Sequence, residues 1–99
     1  MQGWYAERFE RDMGCTEAEL RRWLDGALPG RPLRATPQGT VATIGAGHLT
    51  LAWQALPPRQ IALMCMPRLH VSFDFEHVDE ALRQQVMRYF DLYTQRGGG

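Results

Sequence analysis

Arg68, His70, Ser72 and Asp74 are residues of catalytic type, and they occupy alternate positions of one stretch. A nucleophile, a base and an orienting carboxylate together would suggest hydrolysis. Their spacing argues against it. On a strand, residues i and i+2 lie about 6.6 Å apart, whereas a nucleophile must sit about 3 Å from its base. The four cannot form a triad among themselves; one of them would need help from a neighbouring strand, for instance from His48 or Thr50. A solvated outer sheet face explains the run without chemistry, so no catalytic residue is assigned and the reading leans away from an enzyme.

Other candidates fail on context. His48, His70 and His77, with Cys15 and Cys65, show none of the close ligand spacings of zinc sites, so no metal is expected. Gly45-Ala46-Gly47 runs into the strand-like His48-Leu49-Thr50-Leu51, where a phosphate loop would run into a helix, and it reads as a hairpin turn. No cofactor is called for. With eleven Arg and no Lys, a Schiff-base or P-loop lysine is excluded. Arg96-Gly97-Gly98-Gly99 resembles the diglycine end of ubiquitin-like carriers in those residues alone. Such carriers end after a strand and this tail follows a predicted helix, so it reads as a helix cap with a flexible glycine tail over 97–99.

Composition narrows the class. Ninety-nine residues with 44% hydrophobic and 22% charged content suit one globular domain, spanning 1–96. Eleven acidic residues balance the arginines, and none lies between Asp25 and Asp74, where Arg31, Arg34, Arg59 and Arg68 fall. Spread over strands and turns in a chain of zero net charge, these do not make a nucleic-acid surface. The absence of Lys and Asn points to a GC-rich, bacterial genome. Acidic residues at Glu7, Glu10 and Asp12 replace the apolar run of a leader, and no stretch is apolar enough to span a membrane. The expectation is a cytoplasmic protein with both cysteines reduced.

The elements that must position these residues follow from periodicity. Tyr5, Phe9 and Met13 at four-residue spacing predict a helix over Trp4–Met13. Thr16-Glu17-Ala18-Glu19 is a capping box, with Cys15 and Leu20 as its hydrophobic staple. It opens a second helix whose stripe is Leu20, Trp23, Leu24, Ala27 and Leu28, stopped at Pro29-Gly30. Short strands are expected at Leu33–Thr36, Thr40–Ile44 and His48–Ala55, with Leu56-Pro57-Pro58-Arg59 closing a hairpin. Val78, Leu82, Val86, Tyr89 and Tyr93 mark a last helix that Gly97 would cap.

Between these lies the longest alternation, Ile61 to Phe75. Ile61, Leu63, Cys65, Leu69, Val71, Phe73 and Phe75 are expected on the core side, interrupted by Pro67. Fifteen residues would span roughly 50 Å, too long for the body, so a bend or bulge near Met66-Pro67 is expected, the alternative being two separate strands. The fold class is therefore α+β: two N-terminal helices, an antiparallel meander of four to five strands, and a C-terminal helix on one sheet face.

One asymmetry bears on function. Opposite the core, Ala62, Met64 and Met66 are apolar where a one-sided sheet should be polar. Either the first helix, with Trp4, Tyr5 and Phe9, covers them or another molecule does. The expectation is a small non-catalytic domain acting by protein–protein interaction, self-associating as a homodimer through this face, with neither nucleic acid nor membrane as partner. The alternative is a small-ligand-binding protein or enzyme working through the same face. The first reading rests on Met64 and Met66, the second on Arg68, His70, Ser72 and His48.

Overall fold

The computed structural model describes residues 3–95. Its elements run β1 (Arg8–Met13), α1 (Glu17–Ala27), β2 (Leu33–Ala35), β3 (Gly39–Ile44), β4 (Gly47–Ile61), β5 (Met64–Glu76) and α2 (Glu80–Gln95). The five strands form one antiparallel sheet in the order β1-β5-β4-β3-β2, so the fold is α+β. The two helices cover one face. Leu49 and Leu51 of β4 and Leu69, Val71, Phe73 and Phe75 of β5 are buried beneath Leu20, Trp23 and Leu24 of α1 and Val86, Met87 and Phe90 of α2.

The first expected helix is instead the edge strand β1. A spacing of four fits both a helix and a strand, because four is a multiple of two. Phe9, Arg11 and Met13 lie half-buried while Arg8, Glu10 and Asp12 are exposed, a strict alternation. The inward charge at Arg11 disguised it. Arg11 is accommodated by Asp91 of α2, whose Oδ1 accepts from Nη1 at 2.6 Å, and by the rings of Phe9 and Phe73 at 5.4 and 5.1 Å. Ahead of the strand, Tyr5 is fully buried and its hydroxyl donates to Asp91 Oδ2. Gln84 brackets the Tyr5 backbone, accepting from its N–H at 2.8 Å and donating to its carbonyl at 2.7 Å.

α1 begins as its sequence requires. Thr16 accepts from Glu19 N–H and Glu19 accepts from Thr16 N–H, completing the capping box. Cys15 and Leu20, the staple pair, are both buried. The expected strands at 33, 40 and 48 are present, but β4 continues through Pro57-Pro58 to Ile61. The hairpin closes at Ala62-Leu63, with Ile61 opposite Met64 and Ala62 at φ 53°. The expected cap at Gly97 and the glycine tail lie outside the described residues.

No bend brings the long stretch back onto the body. β5 is one strand of 13 residues, β4 one of 15, and the molecule measures 46 × 30 × 24 Å. The irregularity lies in β4, where Pro57 and Pro58 occupy the space opposite Pro67. The two strands run past the helices as a two-stranded arm in which residues 57 to 66 are all exposed. Ile61, Leu63 and Cys65 are therefore not core residues. Cys65 is an exposed free thiol and Cys15 a buried one whose burial pushes its pKa up.

Candidate functional site

The open face of the sheet collects the even-numbered residues of β1, β5 and the body of β4. Register sets Asp12 beside His70, Glu10 beside Ser72 and Arg8 beside Asp74, with Gln54, Ala52 and Thr50 on the other side. Cross-strand partners lie about 5 Å apart at Cβ, so long polar side chains on this face reach one another.

His70 is held between two carboxylates. Its Nε2 lies 2.6 Å from Glu10 Oε1 and its Nδ1 2.9 Å from Asp12 Oδ1. A neutral imidazole has one N–H, so only the imidazolium donates to both. Its pKa is accordingly raised, by the Asp12 bond first and the Glu10 bond second. Asp12 is lowered by the same His70 bond and by Arg68, whose Nη2 donates to Asp12 Oδ2 at 2.8 Å. Arg8 meets Asp74 at 3.3 Å, and His48 lies 3.8 Å from Glu76.

This geometry leaves Ser72 without a base. Its hydroxyl donates to the Ala52 carbonyl at 3.3 Å, while both nitrogens of His70 are engaged elsewhere. Hollows flank the face: one is lined by Glu7, Arg8, Phe75, Glu76 and His77, another by Asp12, Met13, Gly14, Arg59, Met66, Pro67 and Arg68. His70 and Ser72 line neither. Among the described residues no group of three or more His, Cys, Asp or Glu is placed to hold a metal ion, and no helix is long and apolar enough to cross a membrane.

The six residues singled out from the sequence thus separate. Arg68, His70 and Ser72 join the polar face beside β1, and His48 lies across the sheet at the β3 side. Met64 and Met66 lie on the arm, 62% and 40% exposed. The N-terminal segment does not cover them. Tyr5 is in the core and Phe9 stacks on Phe73 with ring centroids 4.6 Å apart.

The arm adds residues that alternation had placed elsewhere. The extra residue at Pro57-Pro58 shifts β4 by one position, so Arg59 and Ile61 stand opposite Met66 and Met64 and share their face. Ile61 is 50% exposed and Leu63, at the turn, is fully exposed. The proline pair was the signal in the sequence, since prolines within a strand mark an edge or a bulge. Compared with protein-family models, curated proteins and solved structures, the chain matches none.

Proposed function

We propose that this protein is a non-catalytic interaction domain that self-associates through its arm, a second copy covering the face that carries Ile61, Met64 and Met66. The observation that carries the reading is four large apolar side chains gathered at the exposed end of a two-stranded ribbon. A lone two-stranded ribbon is marginal in water, and a contiguous apolar patch on such a surface marks a contact site.

The arm's chemistry selects how it would be covered. The β3 ladder reaches along β4 to Ala52, with Gln38 accepting from Trp53 N–H just beyond it, and β1 runs along β5 only to Leu69, so among the described residues no strand pairs with either arm edge past those points. Pro57, Pro58 and Pro67 contribute no N–H to either edge, which disfavours addition of a further strand. Side-chain packing, face against face, is the mode that remains. A two-fold interface uses the same patch from both copies, doubling the apolar area without needing a different complementary surface.

The energetics are modest. The exposure of Ile61, Leu63, Met64 and Met66 amounts to about two and a half free side chains. At about 1.5–3 kcal/mol each, two copies contribute roughly 8–15 kcal/mol, against an association cost of about 4–15 kcal/mol. The expected product is a concentration-dependent dimer. Size-exclusion chromatography with light scattering should show dimer at high micromolar concentration and monomer for Met64→Asp/Met66→Asp. A wild-type monomer at that concentration refutes the reading.

A further inference from the structure

We infer that the notch where the arm leaves the body is a binding site for a small carboxylate with a short apolar tail. β1 stops at Met13, opposite Leu69, while β5 continues outward, so the lane beside Pro67 and Arg68 is vacated by the chain. The hollow left there is about 170 Å³ and is lined by Asp12, Met13, Arg59, Met66, Pro67 and Arg68.

The lining divides into two kinds. Met13, Met66 and Pro67 form an apolar wall, and methionines adapt to the shape of what they contact. Arg59 and Arg68 bring two guanidinium groups against the single carboxylate of Asp12, leaving the notch with a net positive charge. Asp12 is occupied, accepting from Arg68 Nη2 at 2.8 Å and facing His70 Nδ1 at 2.9 Å. That bond also holds the Arg68 guanidinium at the wall, so little freedom is lost when a ligand meets it.

Two further observations favour an anionic oxygen. Arg59 makes no ion pair with any described residue of its own chain. Arg68 Nε is enclosed and has no hydrogen-bond partner among the described residues, a cost that an acceptor oxygen reached by a small side-chain shift would relieve. Planar guanidinium groups match carboxylates in shape and charge. The volume bounds the tail: a cavity of about 150 Å³ takes a six-membered ring of heavy atoms, which is the size of butanoate. A site this small and open should bind with a dissociation constant on the order of millimolar.

The inference does not depend on self-association, and one set of samples separates the two. Butanoate is titrated into the full chain with two-dimensional 15N NMR, butanamide serving as the uncharged match and light scattering recording the oligomeric state. The expected result is a saturable shift of the Arg59, Met66, Arg68 and Gly14 amides with butanoate and none with butanamide. Arg59→Gln, on the exposed arm, should weaken binding about tenfold or more without moving resonances of the helices. A tripeptide ending in a free valine carboxylate, beside its C-terminal amide, identifies the source: tighter binding than butanoate assigns the notch to a peptide terminus, weaker binding to a free acid. Equal response to butanamide, shifts spread over every arginine, or indifference to Arg59→Gln overturns the inference. A monomer that binds sinks self-association alone; because a second copy on the Met66 face would also cover the notch, a dimer whose diluted, monomeric form does not bind sinks the carboxylate site alone.

Discussion

Replacing Asp91 with Ala should remove much of the stability that holds β1 in the sheet. Asp91 is 3% exposed and accepts from Tyr5 Oη and from Arg11, through Nη1 at 2.6 Å and Nη2 at 3.4 Å. Its loss strands a fully buried hydroxyl and takes the carboxylate from a guanidinium whose side chain is 24% exposed. Breaking a buried ion pair costs about 3–5 kcal/mol; partial solvation of Arg11 reduces this to about 2–4 kcal/mol. For a chain of this size the melting temperature should fall by about 10–25 °C. Urea melts by far-UV circular dichroism would measure it in wild type, Asp91→Ala, Tyr5→Phe and the double variant. Because the double variant leaves no stranded hydroxyl, it should be more stable than the two single losses predict, by about 1–2 kcal/mol. Additive losses, or an Asp91→Ala loss below about 1 kcal/mol, would refute the argument. The same site sets an alkaline limit. Tyr5 is pushed up to about 12, by burial first and then by its bond to Asp91. A raised folded pKa stabilises fully below the ordinary value of 10 and that contribution is lost as pH rises through about 12.

His70 should titrate above its ordinary 6.5 by NMR, and Asp12→Asn should lower it more than Glu10→Gln does, following the order of the two bonds. Its contribution to stability is then fully present below pH 6.5 and lost as pH rises through the raised folded value, whereas that of Asp12 is present above 3.8 and lost as pH falls through its lowered one. Melts across this range in wild type and His70→Gln check both signs; a His70 pKa at or below 6.5 contradicts the clamp. Gly47→Ala should cost about 2–3 kcal/mol, since a Cβ there would lie 2.0 Å from the Glu76 carbonyl oxygen and 2.4 Å from that of His77. Gly14→Ala, with nothing within 4 Å, is the matched control, and equal melting of the two variants would discount the close approach.

Local chemistry made several elements legible. The Thr16–Glu19 box and the Leu20–Leu28 stripe specify α1 because both act within a few residues of each other. The alternation from Leu69 to Phe75 specifies β5 in the same way, and the polar positions between them are where the open face lies. What misled was degeneracy. Tyr5, Phe9 and Met13 satisfy helix and strand alike, and the deciding partner, Asp91, is 80 residues from Arg11. Nothing near β1 in the chain records that β5 offers it a free edge.

For the candidate site, the sequence by itself determined which residue types are available: two methionines, a histidine, a serine and two arginines around Pro67, with no acidic residue from Gly26 to Phe73. It also determined that Arg68, His70 and Ser72 cannot be a triad, because strand geometry is local. Only the tertiary structure decided that His70 lies between Glu10 and Asp12, that β4 and β5 overhang the body where a bend was expected, and that Ile61 joins Met64 and Met66. Each depends on register between strands, and register is a property of pairs of segments. A single inserted position at Pro57-Pro58 turns Ile61 from one face to the other, and with it the surface on which this protein's function is proposed to rest.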